Sequence, residues 1–144
     1  MAGDVEEAAQ GALSVLVRHA SAGDRRDWDG DDRLRPLDTR GRRQAAALIE
    51  LLLPLGVRRV VSSPYVRCVE TVEPLAAALG VAVELDVRLA EGAGRAAVEL
   101  LREDGVAACT HGDVVFDILG RGLKKAASVV LRDGVVAREI PRPD

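Results

Sequence analysis

The chain has 144 residues, a formal net charge of −3 and two cysteines. That length suits one domain with its own core. The charge gives no general attraction to nucleic-acid backbones or anionic lipid. Two cysteines outside any Cys/His cluster make neither a disulfide framework nor a zinc site. Aromatics are only 2%, namely Trp28, Tyr65 and Phe116. The core must therefore be Leu, Val and Ala, and a stacking platform for single-stranded nucleic acid is excluded.

Residues 1–12 read as a flexible acidic tail, and 13–144 as a single domain. The tail lacks the basic start of a secretory leader, and no apolar run approaches a membrane span. The chain reads as cytoplasmic and reduced, with no membrane partner. Leu13 to Val17 is a β-branched apolar run that predicts a buried strand, ended by Arg18-His19. Residues 20–35 are polar and rich in Asp and Gly, a loop long enough to be functional or mobile. Trp28 is a candidate to fold that loop over the sheet. Asp38 or Thr39 caps a helix to about Leu53, stopped by Pro54 and Gly56. Val57 to Val61 is a second strand. Ser63 as cap and Pro64 at the first position open a helix to Leu79. Val81 to Leu85 is a third strand, residues 87–94 a loop, and Arg95 to Glu103 a helix. Val106 to Cys109 is a fourth strand, followed by Thr110-His111-Gly112 and a helix to about Leu119. Two further apolar runs, 127–131 and 135–140, flank an Asp133-Gly134 hairpin signal.

Strands alternating with helices predict a three-layer α/β/α fold: a mostly parallel central sheet, helices on both faces and a C-terminal hairpin. Ligands of such sheets bind beyond the carboxyl ends of the strands. Both histidines of the chain, His19 and His111, stand at strand ends, each followed by a small residue. Arg18 precedes His19, and Arg67 lies one turn into the helix after the second strand. Read alone, Arg67 could equally pair with Glu70 or Glu73 on the surface. Two Arg and two His at strand ends describe a phosphate pocket with a nucleophilic imidazole.

The blocks Leu16-Val17-Arg18-His19-Ala20, Ser62-Ser63-Pro64-Tyr65-Val66-Arg67-Cys68-Val69-Glu70-Thr71 and Thr110-His111-Gly112 resemble the signatures of the histidine phosphatase superfamily, the phosphoglycerate mutase-like fold. Residues 35–45 are similar to the block after the first loop in its short SixA-type branch. The chain also resembles the phosphatase domain that follows a Nudix domain in some actinobacterial proteins, although no Nudix domain stands in this sequence. The resemblance implies a phosphatase that needs neither metal nor other cofactor. His19 would become a phosphohistidine, and Arg18, Arg67 and His111 would hold the phosphoryl oxygens. The substrate would be a phosphorylated small molecule or a phosphohistidine protein, with no nucleic acid as partner. The alternative is a non-catalytic phosphate- or phosphopeptide-binding module of the same fold.

The resemblance is imperfect. Ala20 replaces the usual Gly after the first histidine. Glu91 is the candidate leaving-group acid and Asp113 its rival, and some SixA-type members lack such an acid. The insertions that form the lid of mutases are missing, which disfavours enclosed mutase chemistry. Arg25, Arg26, Arg33 and Arg35 read as a solvated charged loop from which one side chain could reach substrate. Cys68 and Cys109 read as buried structural thiols. The adjacent arginine charge is expected to keep His19 deprotonated.

Overall fold

A computed structural model describes residues 11–143. Most of the expected tail, residues 1–10, lies outside the described residues, as does Asp144. Six strands form one sheet: β1 (Leu13–Arg18), β2 (Arg59–Ser62), β3 (Val83–Leu85), β4 (Val106–Thr110), β5 (Ser128–Arg132) and β6 (Val135–Ile140). Their spatial order is β3-β2-β4-β1-β5-β6. The first four are parallel, and β5 and β6 form the antiparallel C-terminal hairpin. At its turn, Asp133 and Gly134 have φ of 52° and 81°, the left-handed pair that a tight two-residue hairpin requires. Ala12 is tied to that turn by two hydrogen bonds: its N–H donates to Asp133 Oδ1 and its carbonyl accepts from the Asp133 N–H, each at 2.8 Å.

Alternation along the strands divides the core. Val15 and Val17 of β1 face one side with Val60, Ala107, Cys109 and Val130. Two helices, α1 (Thr39–Leu52) and α2 (Val66–Leu79), cover that side with Leu48, Leu52, Val72 and Leu75. Leu16, Val61, Ala108 and Val129 face the other side, under Leu100, Leu101 and Val115. Ser14 is the polar interruption in β1, and its hydroxyl donates to the Leu101 carbonyl at 2.6 Å. Emptying one of these fully buried Leu sites, as in Leu16→Ala, costs about 2–5 kcal/mol.

Three expected elements differ in detail. The third strand is shorter and lies at the sheet edge, beginning at Val83. The expected helix 95–103 is instead a series of turns ending in a 3-10 segment, Leu100–Arg102. Its backbone bonds run mostly three residues back. The position before it is Gly94, at φ 64°, which supplies no capping side chain to start an α-helix. Its apolar residues are buried all the same, so the second face of the sheet is covered by these turns together with a short helix, α3 (Gly112–Leu119). The third difference is the start of α2. It begins at Val66, with Tyr65 as cap residue and no side-chain cap.

Candidate active site

Register brings the two histidines together. In the parallel pair β1/β4, Arg18 stands opposite Thr110, so the next residues, His19 and His111, leave the sheet side by side. The His19 N–H donates to the Thr110 carbonyl at 3.0 Å, and the ring centroids are 5.6 Å apart. On the other side of β4, Ser62 pairs with Cys109 and delivers Ser63 to the same edge. This explains why Ser63 does not cap α2: its hydroxyl forms a 2.8 Å hydrogen bond with His111 Nε2 and accepts from the Tyr65 N–H at 3.2 Å. The Tyr65 ring packs edge-on to His111 at 4.6 Å and lies 5.0 Å from the Arg67 guanidinium carbon. Cys68 is buried, as expected, and its sulfur sits 3.5 Å from His111 Nε2.

His19 Nδ1 lies 2.8 Å from the Ala20 carbonyl oxygen. A carbonyl can only accept, so Nδ1 carries the proton and the lone pair of the neutral ring is on Nε2. The Ala20 N–H donates to Thr71 Oγ1 at 2.9 Å, which fixes this short turn from α2. Burial is the largest influence on His19 and pulls its pKa from 6.5 to about 3, against the Ala20 hydrogen bond, with His111, Arg67 and Arg18 adding to the fall. The expectation that arginine charge keeps the ring neutral named a lesser cause.

His19, His111, Arg18 and Arg67 line one cavity of about 550 Å³ together with Glu91 and Asp113. Arg67 is only 1% exposed. It donates to the Asp32 carbonyl at 2.8 Å and to Asp32 Oδ2 at 3.0 Å, not to Glu70 or Glu73. Glu70 instead accepts from the Leu37 N–H. Arg18 donates through Nη1 to the Leu123 carbonyl at 2.6 Å. Its guanidinium lies against Gly112, where a Cβ would come within 3.0 Å of it, so Gly112 makes room for the arginine. The Nε–H groups of Arg18 and Arg67 are both buried without an acceptor among the described residues. Buried donors without partners are costly.

The two candidate acids are both present and both engaged. Glu91 accepts from Arg25 at 2.8 Å and lies 3.7 Å from Arg67. Asp113 accepts from the N–H groups of Gly92 and Val114, each at 2.8 Å.

The 20–35 loop contributes more than its sequence suggested. Two 3-10 turns, Arg25–Asp27 and Asp32–Leu34, are capped by Asp24 and Asp31. Arg26 and Arg33 pair with those caps at the surface, as solvated loop charges. Arg35 does not: it is 7% exposed and lines the cavity, as does Arg25. Asp32 gathers three arginines, lying 3.4 Å from Arg25, 2.9 Å from Arg35 and 3.0 Å from Arg67. Lys125, which the sequence reading overlooked, also lines the cavity. Trp28 does not fold the loop over the sheet. It is 36% exposed, and its indole N–H donates to the Asp31 carbonyl inside the loop. The loop is held close by Gly41 in the first turn of α1, where a Cβ would lie 1.9 Å from the Ser21 carbonyl oxygen.

The sequence pattern of the histidine phosphatase superfamily, branch 1, matches residues 14–103. The chain is 44% identical over 79 residues to an 8-oxo-(d)GTP phosphatase of Mycolicibacterium smegmatis, an alignment covering 55% of this chain and 24% of that protein. It thus spans about a quarter of that relative's length. The fold is similar to SixA of Agrobacterium tumefaciens, with a TM-score of 0.72 at 18% identity, covering 92% of this chain and 99% of that one. A protein histidine phosphatase SixA in complex with tungstate gives 0.67 at 19% identity, covering 90% and 96%. No helix among the described residues is long and apolar enough to cross a membrane.

Proposed function

This chain belongs to the histidine phosphatase superfamily, and from that premise we propose that it is a phosphatase working through a phosphohistidine on His19. The observation that carries the reading is the protonation pattern of His19. Nδ1 donates a hydrogen bond to the Ala20 carbonyl, which leaves the lone pair on Nε2, and His19 lines the cavity shared with Arg18, Arg67 and His111. Nε2 attacks phosphorus in line. The Nε2–P bond forms as the bond from phosphorus to the leaving atom breaks, and the leaving atom keeps the electron pair. Arg18 and Arg67, with buried Nε–H groups free to donate, and His111 neutralise charge on the non-bridging oxygens. The imidazole gains positive character as it is phosphorylated, and the Ala20 carbonyl that accepts from Nδ1 stabilises it. Water then attacks phosphorus, the Nε2–P bond breaks, and phosphate leaves.

Glu91 is the proposed proton donor for alkoxide leaving groups and the base for water in the second step. To donate, it must exchange its contact with Arg25 for one with the leaving oxygen. Asp113, with both oxygens on backbone N–H groups, is placed to hold the 91–92 turn instead. A phosphohistidine leaving group takes a proton readily and depends less on either residue.

The positive charge that phosphoryl transfer requires comes from side chains, so the reaction is proposed to need no metal. Turnover of p-nitrophenyl phosphate in EDTA tests the reading, alongside a phosphohistidine peptide. Sustained turnover is expected. Binding of phosphate without turnover would return the protein to a phosphate-binding module, and a strict magnesium or zinc requirement would reject the mechanism.

A further inference from the structure

Beyond the four residues assigned to the transferred phosphoryl group, two cations of the cavity have no role in the mechanism above. Lys125 is half-buried and makes no hydrogen bond or ion pair with any described residue. The carboxylates that could neutralise it are committed elsewhere. Asp38 accepts from the Ser21 hydroxyl and from the N–H groups of Gly23 and Gly41. Asp24 is bound to Arg26. Burial lowers the Lys125 pKa, the charges of Arg18, Arg35 and Arg67 add to that, and the charge of Asp38 opposes it. Arg35 is anchored by Nε to Asp32 and by Nη1 to the carbonyls of Ala22 and Gly23, and its guanidinium still lines the cavity. A partly desolvated cation with no direct hydrogen bond or ion pair, with arginines nearby and Asp38 acting only at longer range, is costly unless an anion meets it.

Both cations stand close to His19 along the backbone. The N–H of Ala126, the residue after Lys125, donates to the carbonyls of Arg18 and His19, each at 3.1 Å. The carbonyls of Ala22 and Gly23 that hold Arg35 lie three and four residues after His19. An anion bridging Lys125 and Arg35 would share the cavity with the phosphoryl group on His19. The two candidate acids fit the same picture, since neither Glu91 nor Asp113 is free of a partner and a weakly basic leaving group needs no proton from them.

We infer that the cavity holds a second phosphoryl group beside the scissile one, so that the preferred substrate class is a terminal diphosphate, with Lys125 and Arg35 as its specificity-determining residues. This rests on the reading of His19, Arg18, Arg67 and His111 as the phosphate site. Nε2 of His19 bonds to the terminal phosphorus, the bridging P–O bond breaks, and its electron pair stays on the departing phosphate, whose charge Lys125 and Arg35 neutralise. Water then releases the terminal phosphate from His19.

The test is calorimetric binding of inorganic phosphate and inorganic pyrophosphate in EDTA, which needs no turnover. Pyrophosphate should bind the native protein at least about tenfold more tightly than phosphate. Lys125→Met should remove most of that preference, and Lys125→Arg should restore it. A merely structural role for Lys125 would weaken both anions equally and overturn the inference. Equal binding of the two anions by the native protein would overturn it while leaving the phosphate site intact. Failure of either anion to bind would overturn the phosphate site itself, and this inference with it. A kinetic arm compares ADP with AMP and fructose 1,6-bisphosphate with fructose 6-phosphate. Preference for ADP over AMP with none between the sugars supports the anhydride. A preference confined to the sugars contradicts it.

Discussion

The strand-end wall of the cavity and the loop wall beside it carry similar charges, held by different means. His19 and His111 are placed by the register of β1 against β4, and Arg67 by a helix that starts directly after β2. Their backbone is fixed by sheet or helix hydrogen bonds, and their side chains are almost fully buried. Arg25, Arg35 and Asp32 come from a loop whose turns are capped by their own aspartates and held close at Gly41. The first wall is rigid and suits a phosphoryl group common to every substrate. The second is built from ion pairs that can exchange partners, which suits groups that differ between substrates. Changes to the strand-end wall should therefore slow all substrates, and changes to the loop wall should sort them.

The sharpest contrast is expected at Glu91. Glu91→Gln keeps the size and removes the acid, so hydrolysis of alkyl phosphates should fall by about 10²–10⁴-fold, with much less effect on a phosphohistidine peptide. Asp113→Asn is the matched control. If it alone produces the selective loss, the acid role moves to Asp113. Arg67→Ala should lower kcat/KM by about 10²–10³-fold for every substrate tested, esters and phosphohistidine alike. A loss confined to one substrate would break the distinction between the walls.

A smaller effect is expected at the junction. Asp32 orients Arg67 without belonging to the phosphate contacts, so Asp32→Ala should cost about tenfold in kcat/KM. Asp32→Asn, which retains one acceptor oxygen, should recover part of it. Equal losses in both variants, with unchanged thermal stability, would argue against a positioning role.

Smallest is a stability effect of pH. His19 has a pKa of about 3 in the folded protein against its ordinary 6.5. The unfolded chain therefore binds the extra proton between those values. The stabilising contribution is complete above pH 6.5 and is lost as the pH falls toward 3. Urea midpoints measured at pH 7 and pH 5 should drop more for the native protein than for His19→Gln. An NMR titration should find the His19 ring neutral at pH 5.

The same contrast explains what could be read from the sequence. His19, Arg18, Arg67 and His111 were legible because each directly follows a strand or opens the helix after one, and apolar runs locate strands. The α/β order and the Asp133-Gly134 turn were legible for similar local reasons. Arg35 was legible only as one of four loop arginines, any of which could reach substrate, and Lys125 not as a site residue, because a charged residue in a polar segment looks the same whether it faces water or a cavity. Their burial is set by contacts more distant in sequence, Arg35 with the Ala22 carbonyl, Lys125 through its neighbour Ala126 with the β1 end. A faint signal existed for Lys125: the chain contains 20 basic residues, and only Lys124 and Lys125 are not arginine. Ser63 was misread as a helix cap because Ser-Pro is a strong local signal. The tertiary hydrogen bond to His111 outcompetes it.

His19 Nε2 is the atom proposed to take the phosphoryl group. Rapid acid-free quench of the enzyme during turnover of a 32P-labelled substrate, followed by peptide mapping, measures this directly. Label is expected on the peptide containing His19, stable to base and labile to acid, and His19→Ala should show neither label nor turnover above about a thousandth of the native rate. Label on another residue, or turnover by His19→Ala within tenfold of native, would contradict it.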